Sequence, residues 1–211
     1  MNRRNRGYKR GEPFRDAIQF VIACEGAERE RQYFEHIATD PRRVKVIVLA
    51  PENPKNGQKN AEKSGSSPRW VLNRLIKYLE ENRIDAKNQG DKIWIVLDVD
   101  RWPKGELIAL ANQCSDYGWG FALSNPCFEV WLYLHVKPLA EPVDTSCQDL
   151  KTILGELELG GKKHYHLETY LKYAKSALDR GDQQPDDLKS PIPHPLTTRV
   201  HFLVRQLINL T

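Results

Sequence analysis

Two short apolar runs, each closed by acid, constrain this chain more than any other feature. "AIQFVIA" (residues 17–23) passes through Cys24 into Glu25-Gly26, and "IWIVL" (residues 93–97) runs into Asp98-Val99-Asp100. Runs of this length without polar alternation read as strands buried on both faces of a parallel sheet. The carboxyl ends of such strands form the ligand crevice of open α/β sheets, so acids placed there are candidates for a site. Glu25 also has a plainer reading, as an acid near the positive end of the helix that follows.

Two more runs extend the pattern. "VKVIVLA" (residues 44–50) reads as a strand buried on both faces, and "GWGFALS" (residues 118–124) as a fourth short strand. Helical spacing appears between them, at Tyr33, Phe34 and Ile37, at Val71, Leu72, Leu75, Ile76 and Leu79, and around residues 106–113. Alternating strands and helices predict an α/β domain with a mostly parallel four-stranded sheet flanked by helices. "NPCFEVWLYLH" (residues 125–135) reads as a buried helix with Pro126 in its first turn and Ser124 or Asn125 as cap. "PLTTRVHFLVRQLINL" (residues 195–210) reads as a closing amphipathic helix begun by Thr197 or Thr198, with Val200, Leu203, Val204, Leu207 and Ile208 facing the core. The expected layout is a flexible basic arm over 1–15, a catalytic core over 16–136 and a helical C-terminal elaboration over 137–211 packed on that core.

At 211 residues the chain can bury one good core. Charged residues make up 28% and the formal net charge is +4, an ordinary composition with a mild basic bias. No apolar run approaches the roughly 20 residues of a membrane span, and the basic start has no apolar stretch of a secretory signal behind it, so a cytoplasmic location is expected. Cys24, Cys114, Cys127 and Cys147 show no C-x-x-C spacing, which predicts reduced thiols, at least two of them buried.

The acids suggest chemistry. In extended backbone a spacing of two places Asp98 and Asp100 on the same side of the strand. Two carboxylates close together in a low-dielectric crevice cannot both stay ionised without a cation. Oxygen-only donors select hard ions, here Mg²⁺ or Mn²⁺. Glu129 is the lone carboxylate of an otherwise apolar helix, and its partner is either an arginine or the metal. Basic residues gather at Arg3, Arg4 and Arg6 and, in the polar loop over 51–68, at Lys55, Lys59 and Lys63; they either contact phosphates or face water. Arg101 and Lys104, just beyond the second acidic run, could steady a phosphate. His164 and His166 alternate like metal ligands but lack a third, and read as surface or packing residues. No G-x-S-x-G, P-loop or G-x-G-x-x-G occurs, which removes the common hydrolase, NTPase and dinucleotide readings.

The order strand–Glu25-Gly26–helix–strand–helix–strand–Asp98-x-Asp100 resembles the TOPRIM domain, the Mg²⁺-binding module of topoisomerases, primases and OLD-type nucleases. Glu25, Asp98 and Asp100 fall at the positions of that family's acids. With "EGAERERQYFEHI", "SNPCFEVWLYLH" and "HPLTTRVHFLV", the chain looks like the RloB family, also called AbiLii-like, over roughly residues 17–207. The N-P-C-F-E stretch is the most distinctive part. The resemblance implies a metal-dependent nuclease of anti-phage defence, with DNA favoured over RNA. It implies nucleic acid and a neighbouring OLD-like ATPase as partners and Glu25, Asp98 and Asp100 as catalytic acids and metal ligands; Glu129, from its place in the apolar helix, is added as the candidate fourth ligand. An RNA-directed ribonuclease and a non-cutting scaffold for nucleic acid or the ATPase are the alternatives.

Overall fold

The computed structural model describes residues 17–37, 42–51, 67–84, 90–138, 145–157 and 167–209. Strands β1 (Ile18–Cys24), β2 (Val44–Leu49), β3 (Lys92–Asp98) and β4 (Gly120–Asn125) are parallel, and β5 (Thr197–Thr198) is antiparallel to β4. The sheet order is β2-β1-β3-β4-β5. Helices α1 (Arg29–Ile37), α2 (Pro68–Asn82), α3 (Lys104–Tyr117), α4 (Glu129–Leu134), α5 (Cys147–Glu156), α6 (Leu167–Asp182) and α7 (Val200–Asn209) flank it. The chain leaves β1 to one side through α1 into β2, then crosses to β3 on the other side through α2. The strand order therefore reverses between β1 and β3, and ligands of open α/β sheets bind outside the carboxyl ends at such a point.

Period two along the strands splits the core into two layers. Phe20, Ile22, Trp94 and Val96 face α1, α4, α6 and α7, joined by Tyr33, Phe34, Trp131, Tyr170, Val200 and Leu203. Val21, Ala23, Ile93, Ile95 and Leu97 face α2 and α3, where Val71, Leu75, Leu79, Leu107 and Leu110 complete the packing. Burying each of these large side chains contributes roughly 1.5–3 kcal/mol. Residues from both ends of the chain share the first layer, so the C-terminal helix α7 is part of the main core.

Several sequence expectations need correction. The sheet has a fifth strand, because Thr197 and Thr198 pair with Asn125 and Ser124 before α7 begins at Val200. Thr198 still caps the helix from this strand, because its Oγ1 accepts the Val200 N–H at 3.2 Å. Arg199 fixes this turn: its guanidinium donates to Asp186 Oδ2 at 2.8 Å and to the carbonyls of Ser190 (2.8 Å), Asp187 (3.1 Å) and Pro191 (3.2 Å). Strand β2 lies at the sheet edge rather than between neighbours, which leaves Lys45 exposed and Val46–Leu49 half-buried. Pro126 does not start a helix. β4 continues through Asn125, the Asn125–Pro126 bond is cis, and α4 begins at Glu129. The cysteines divide: Cys24 and Cys114 are free and buried, whereas Cys127 and Cys147 form a disulfide.

Among the described residues no helix is long and apolar enough to cross a membrane. The expectations on Arg3, Arg4, Arg6, Lys55, Lys59, Lys63, His164 and His166 lie outside the described residues.

Candidate functional site

Glu25 and Asp98 end neighbouring strands. β1 and β3 run in register from Phe20↔Lys92 to Cys24↔Val96, and Glu25 N–H extends the ladder to Val96 O at 3.2 Å. This puts Glu25 beside the tip of β3, where its Oε2 accepts the Asp98 N–H at 3.4 Å and the Trp102 indole N–H at 2.8 Å. Its Oε1 accepts from Arg101 at 3.2 Å. Glu25 is only 3% exposed. Burial raises its pKa, and the hydrogen bonds from Trp102, Arg101 and Asp98 work against that rise. Arg74 of α2 pins the strand tips from the other layer, donating to Cys24 O at 2.8 Å and Leu49 O at 3.2 Å.

Asp98 is half-buried at the mouth of the crevice. Its Oδ1 accepts the Phe128 N–H at 2.8 Å, so the turn between β4 and α4 orients it. Burial, then the negative charges of Glu30, Glu25, Glu129 and Asp100, push its pKa well above the usual carboxylate range. Asp100 does not follow on the same strand face. The backbone bends at Val99, whose N–H reaches both Ser124 O and Pro126 O at 3.0 Å, and Asp100 sits exposed in the turn. It remains close enough to raise Asp98 electrostatically. Its own pKa is raised by burial and lowered by Arg101 and Lys151.

A cavity of about 400 Å³ opens at this point, lined by Glu25, Glu28, Glu30, Asp98 and Glu129 among acids and by Arg29, Arg101 and Lys151 among cations. Glu30, in the first turn of α1, was not singled out by sequence reasoning. It is buried, and burial raises its pKa to about 7; the N–H groups of Glu30 and Gly26 lower it, and the charges of Glu129 and Glu25 raise it. Its carboxylate occupies the space where a side chain at position 26 would begin, so Gly26 is required by this approach. The signal for Glu30 in the sequence is weak, because the run over 28–31 is charged throughout and acids are common in first helical turns. The glycine between the two acids is the one local hint.

Glu129 finds the arginine partner. Its Oε1 accepts from Arg29 at 2.6 Å and lies 3.7 Å from Lys151 Nζ, and the Glu129 side chain is 6% exposed. A buried acid without such partners would carry a penalty of several kcal/mol. Lys151, on α5, was also missed. Lys104 stands exposed at the start of α3 and does not line the cavity. Among the predicted residues the fold thus brings together Glu25, Asp98, Glu129 and Arg101, with Asp100 at the edge.

The arrangement concentrates carboxylate oxygens at the base and three cations on the walls. Such a site can hold a hard divalent ion together with an anionic, phosphate-like group.

The family model described as RloB-like protein matches residues 20–207. No curated protein and no solved structure matches the chain.

Proposed function

The chain belongs to the RloB-like family, and from that premise we propose that it is a metal-dependent phosphodiesterase acting on nucleic acid, DNA rather than RNA, in defence against phage. The observation that carries this reading is the crowding of Glu25, Glu30 and Asp98 around one cavity, where each is shifted toward its protonated form. Carboxylates buried and crowded this way fit a hard cation, because their donors are all oxygen and the ion would offset the burial that chiefly raises their pKa values and, at Glu30 and Asp98, the added charge of neighbouring acids. The resemblance to TOPRIM domains, with Glu25, Asp98 and Asp100 at that family's acidic positions, supports the same assignment.

When bound, Mg²⁺ or Mn²⁺ would neutralise these carboxylates and polarise the phosphate under attack. Asp98 and Glu30 would hold it, with Asp100 reaching in from the turn, directly or through water. Glu25 is the residue placed to take a proton from the attacking water or to complete the ligand set, and Trp102 and Arg101 orient its carboxylate for either role. Arg29 and Lys151, fixed by Glu129, and the exposed Arg101 would draw in and orient the phosphodiester. Glu129 serves here chiefly by positioning those cations. The basic residues Arg3, Arg4, Arg6, Lys55, Lys59 and Lys63 would add sequence-independent grip on the backbone, and an OLD-like ATPase would be the protein partner.

The test is a cleavage assay on plasmid DNA, single-stranded DNA and tRNA, with Mg²⁺, Mn²⁺ or EDTA, with and without a neighbouring ATPase. Cleavage of DNA that needs the divalent ion and disappears in Asp98→Asn is expected. Cleavage of tRNA alone would replace DNA by RNA as substrate. Binding without any cleavage, with or without the ATPase, would leave a docking module and overturn the enzymatic reading.

A further inference from the structure

We propose that Cys127, Cys147 and Glu129 form a second metal site, for a soft divalent ion such as Zn²⁺, adjoining the acidic crevice and sharing only Glu129 with its lining. Its three donor atoms already lie within 4.8 Å of one another. Cys127 is fully buried in the turn before α4, packed with Val130 and Leu150, and Cys147 is the first residue of α5. Their Cα atoms are 5.8 Å apart.

With the disulfide opened, a tetrahedral ion sets the spacing that the three donors must reach. Metal–sulfur and metal–oxygen distances of about 2.3 and 2.0 Å place two sulfurs about 3.8 Å apart and sulfur about 3.5 Å from the carboxylate oxygen. Cys147 Sγ lies 3.5 Å from Glu129 Oε2. The two oxygens of Glu129 are divided between tasks: Oε1 takes Arg29 and Lys151, and Oε2 faces the sulfur. Glu129 thus stands between the cavity it lines with Asp98 and the cysteines. The fourth position would be filled by water, since Cys147 is half-buried rather than enclosed.

Electrostatics point the same way. Two thiolates and Glu129 carry three negative charges, and Arg29, Lys151 and the first turn of α5 supply positive charge beside them. The N-terminus of α5 is well formed, with Ser146 and Asp149 capping it reciprocally. Thiolate donors select Zn²⁺ over Mg²⁺, so the two ions would not compete for one place.

Access to the site requires the sulfurs in reduced form. A dithiol reductant opens the Cys127–Cys147 bridge to two thiols and is itself oxidised to a disulfide. Metal binding then displaces the two thiol protons. The ion would take over from the bridge the task of tying α5, and with it Lys151, to the turn that orients Asp98 through Phe128 N–H.

The experiment uses the full chain, reduced, stripped of metal and titrated anaerobically with Co²⁺ as spectroscopic probe, then with Zn²⁺ in competition. Expected is one sulfur-bound Co²⁺ per chain, counted by its thiolate-to-metal charge-transfer bands, displacement by Zn²⁺, and unchanged bands in Asp98→Asn. Cys147→Ser, on the helix surface, should lose the bands and bind more than about tenfold more weakly. Cys127→Ser should do the same; because Cys127 is buried, its folding is checked by circular dichroism, and the decision rests on Cys147→Ser. Co²⁺ bound without sulfur bands, or bands and affinity retained in Cys147→Ser, would overturn the proposal. So would a reduced chain that takes up no soft ion, folded or unfolded. Loss of nuclease activity in Asp98→Asn with the bands intact separates this site from the crevice.

Discussion

The backbone N–H of Phe128 donates to Asp98 Oδ1 at 2.8 Å across thirty positions of sequence. The turn after β4 thereby orients an acid at the tip of β3. Asp98→Asn keeps the oxygen that accepts this bond and removes the charge. The expected outcome is loss of divalent-dependent cleavage by about 10²–10³-fold or more, with the fold retained. Because it also removes a carboxylate from a crowded cluster, the variant should melt higher than the parent chain in EDTA. Equal cleavage by both proteins would exclude Asp98 from the chemistry.

Gly26 is expected to be intolerant for a reason that concerns its neighbour. A methyl group at position 26 would occupy the place of the Glu30 carboxylate and drive it out of the cavity. Gly26→Ala should cost stability by only about 1–3 kcal/mol, because the displaced group is the end of a side chain. Its cleavage rate should fall as far as in Glu30→Gln. Thermal melts and rates on the two variants check this; an active Gly26→Ala would mean that Glu30 has no part in the site.

Without metal, the protein should lose stability as pH rises past neutrality. The folded state holds the Glu30 proton up to about pH 7, well above the ordinary value of 4.5 expected when unfolded. Below the lower value both states are protonated and nothing is lost; above it the folded state binds more protons, so stability declines until the folded pKa is passed. His135, buried and lowered from 6.5 to about 4, and His201, also lowered, work in the opposite direction as pH rises to and just past 6.5, so the Glu30 contribution is read between pH 6.5 and 8 as the difference from Glu30→Gln. There Glu30 alone should lower stability by about 1 kcal/mol, or roughly 2–4 °C in Tm, and Asp98 should act in the same direction. Mg²⁺ at pH 8 should restore the loss, and Glu30→Gln should flatten the profile. A Tm that rises through this window in EDTA would contradict the assignment.

The Arg29–Glu129 pair, at 2.6 Å with Glu129 almost wholly buried, should be costly to break from one side. Glu129→Ala leaves two cations in the cavity wall without that carboxylate and should destabilise by about 3–5 kcal/mol. A double-mutant cycle with Arg29→Ala should return a coupling of about 1–3 kcal/mol. Additive single effects would show that the pair is held by its surroundings alone.

Arg199 should matter as much to the fold as any core residue. Its guanidinium holds Asp186 and three carbonyls of the segment leading to β5. Lysine cannot reproduce that fork. Arg199→Lys should cost about 2–3 kcal/mol in urea denaturation, with hydrogen exchange rising first at Thr197 and Thr198.

The parts of the fold written in periodicity were the legible ones. Continuous apolar runs marked β1, β3 and β4, and helical spacing marked Tyr33, Phe34, Val71 and Leu75, all of which are buried. Glu25 and Asp98 could be paired in advance because a parallel sheet brings the ends of its strands to one side. Asp100 departs from the expected strand face because the carbonyls of Ser124, in β4, and Pro126, just beyond it, capture the Val99 N–H, a tertiary contact with no local signature. β5 is two residues long and depends on Arg199, so no window of sequence could reveal it. The nearness of Cys127 and Cys147 arises from the packing of α5, twenty positions downstream, rather than from spacing. Glu30 was hidden in a run of alternating charges, Glu28 to Arg31, in which nothing local marks the one acid that is buried.

The two layers of the core have unequal stakes in the cavity. Its described lining comes from the β1–α1 turn, α1, Asp98, the β4–α4 turn, α4 and α5, with Arg101 as the contribution of the segment leading into α3. Helices α2 and α3 send no side chain there, although Arg74 braces the strand tips from beneath. The sheet acts as a bulkhead: one side lines the cavity, and the other, wherever Arg74 is kept, can be recut, lengthened or given a new neighbour while the acids stay in place.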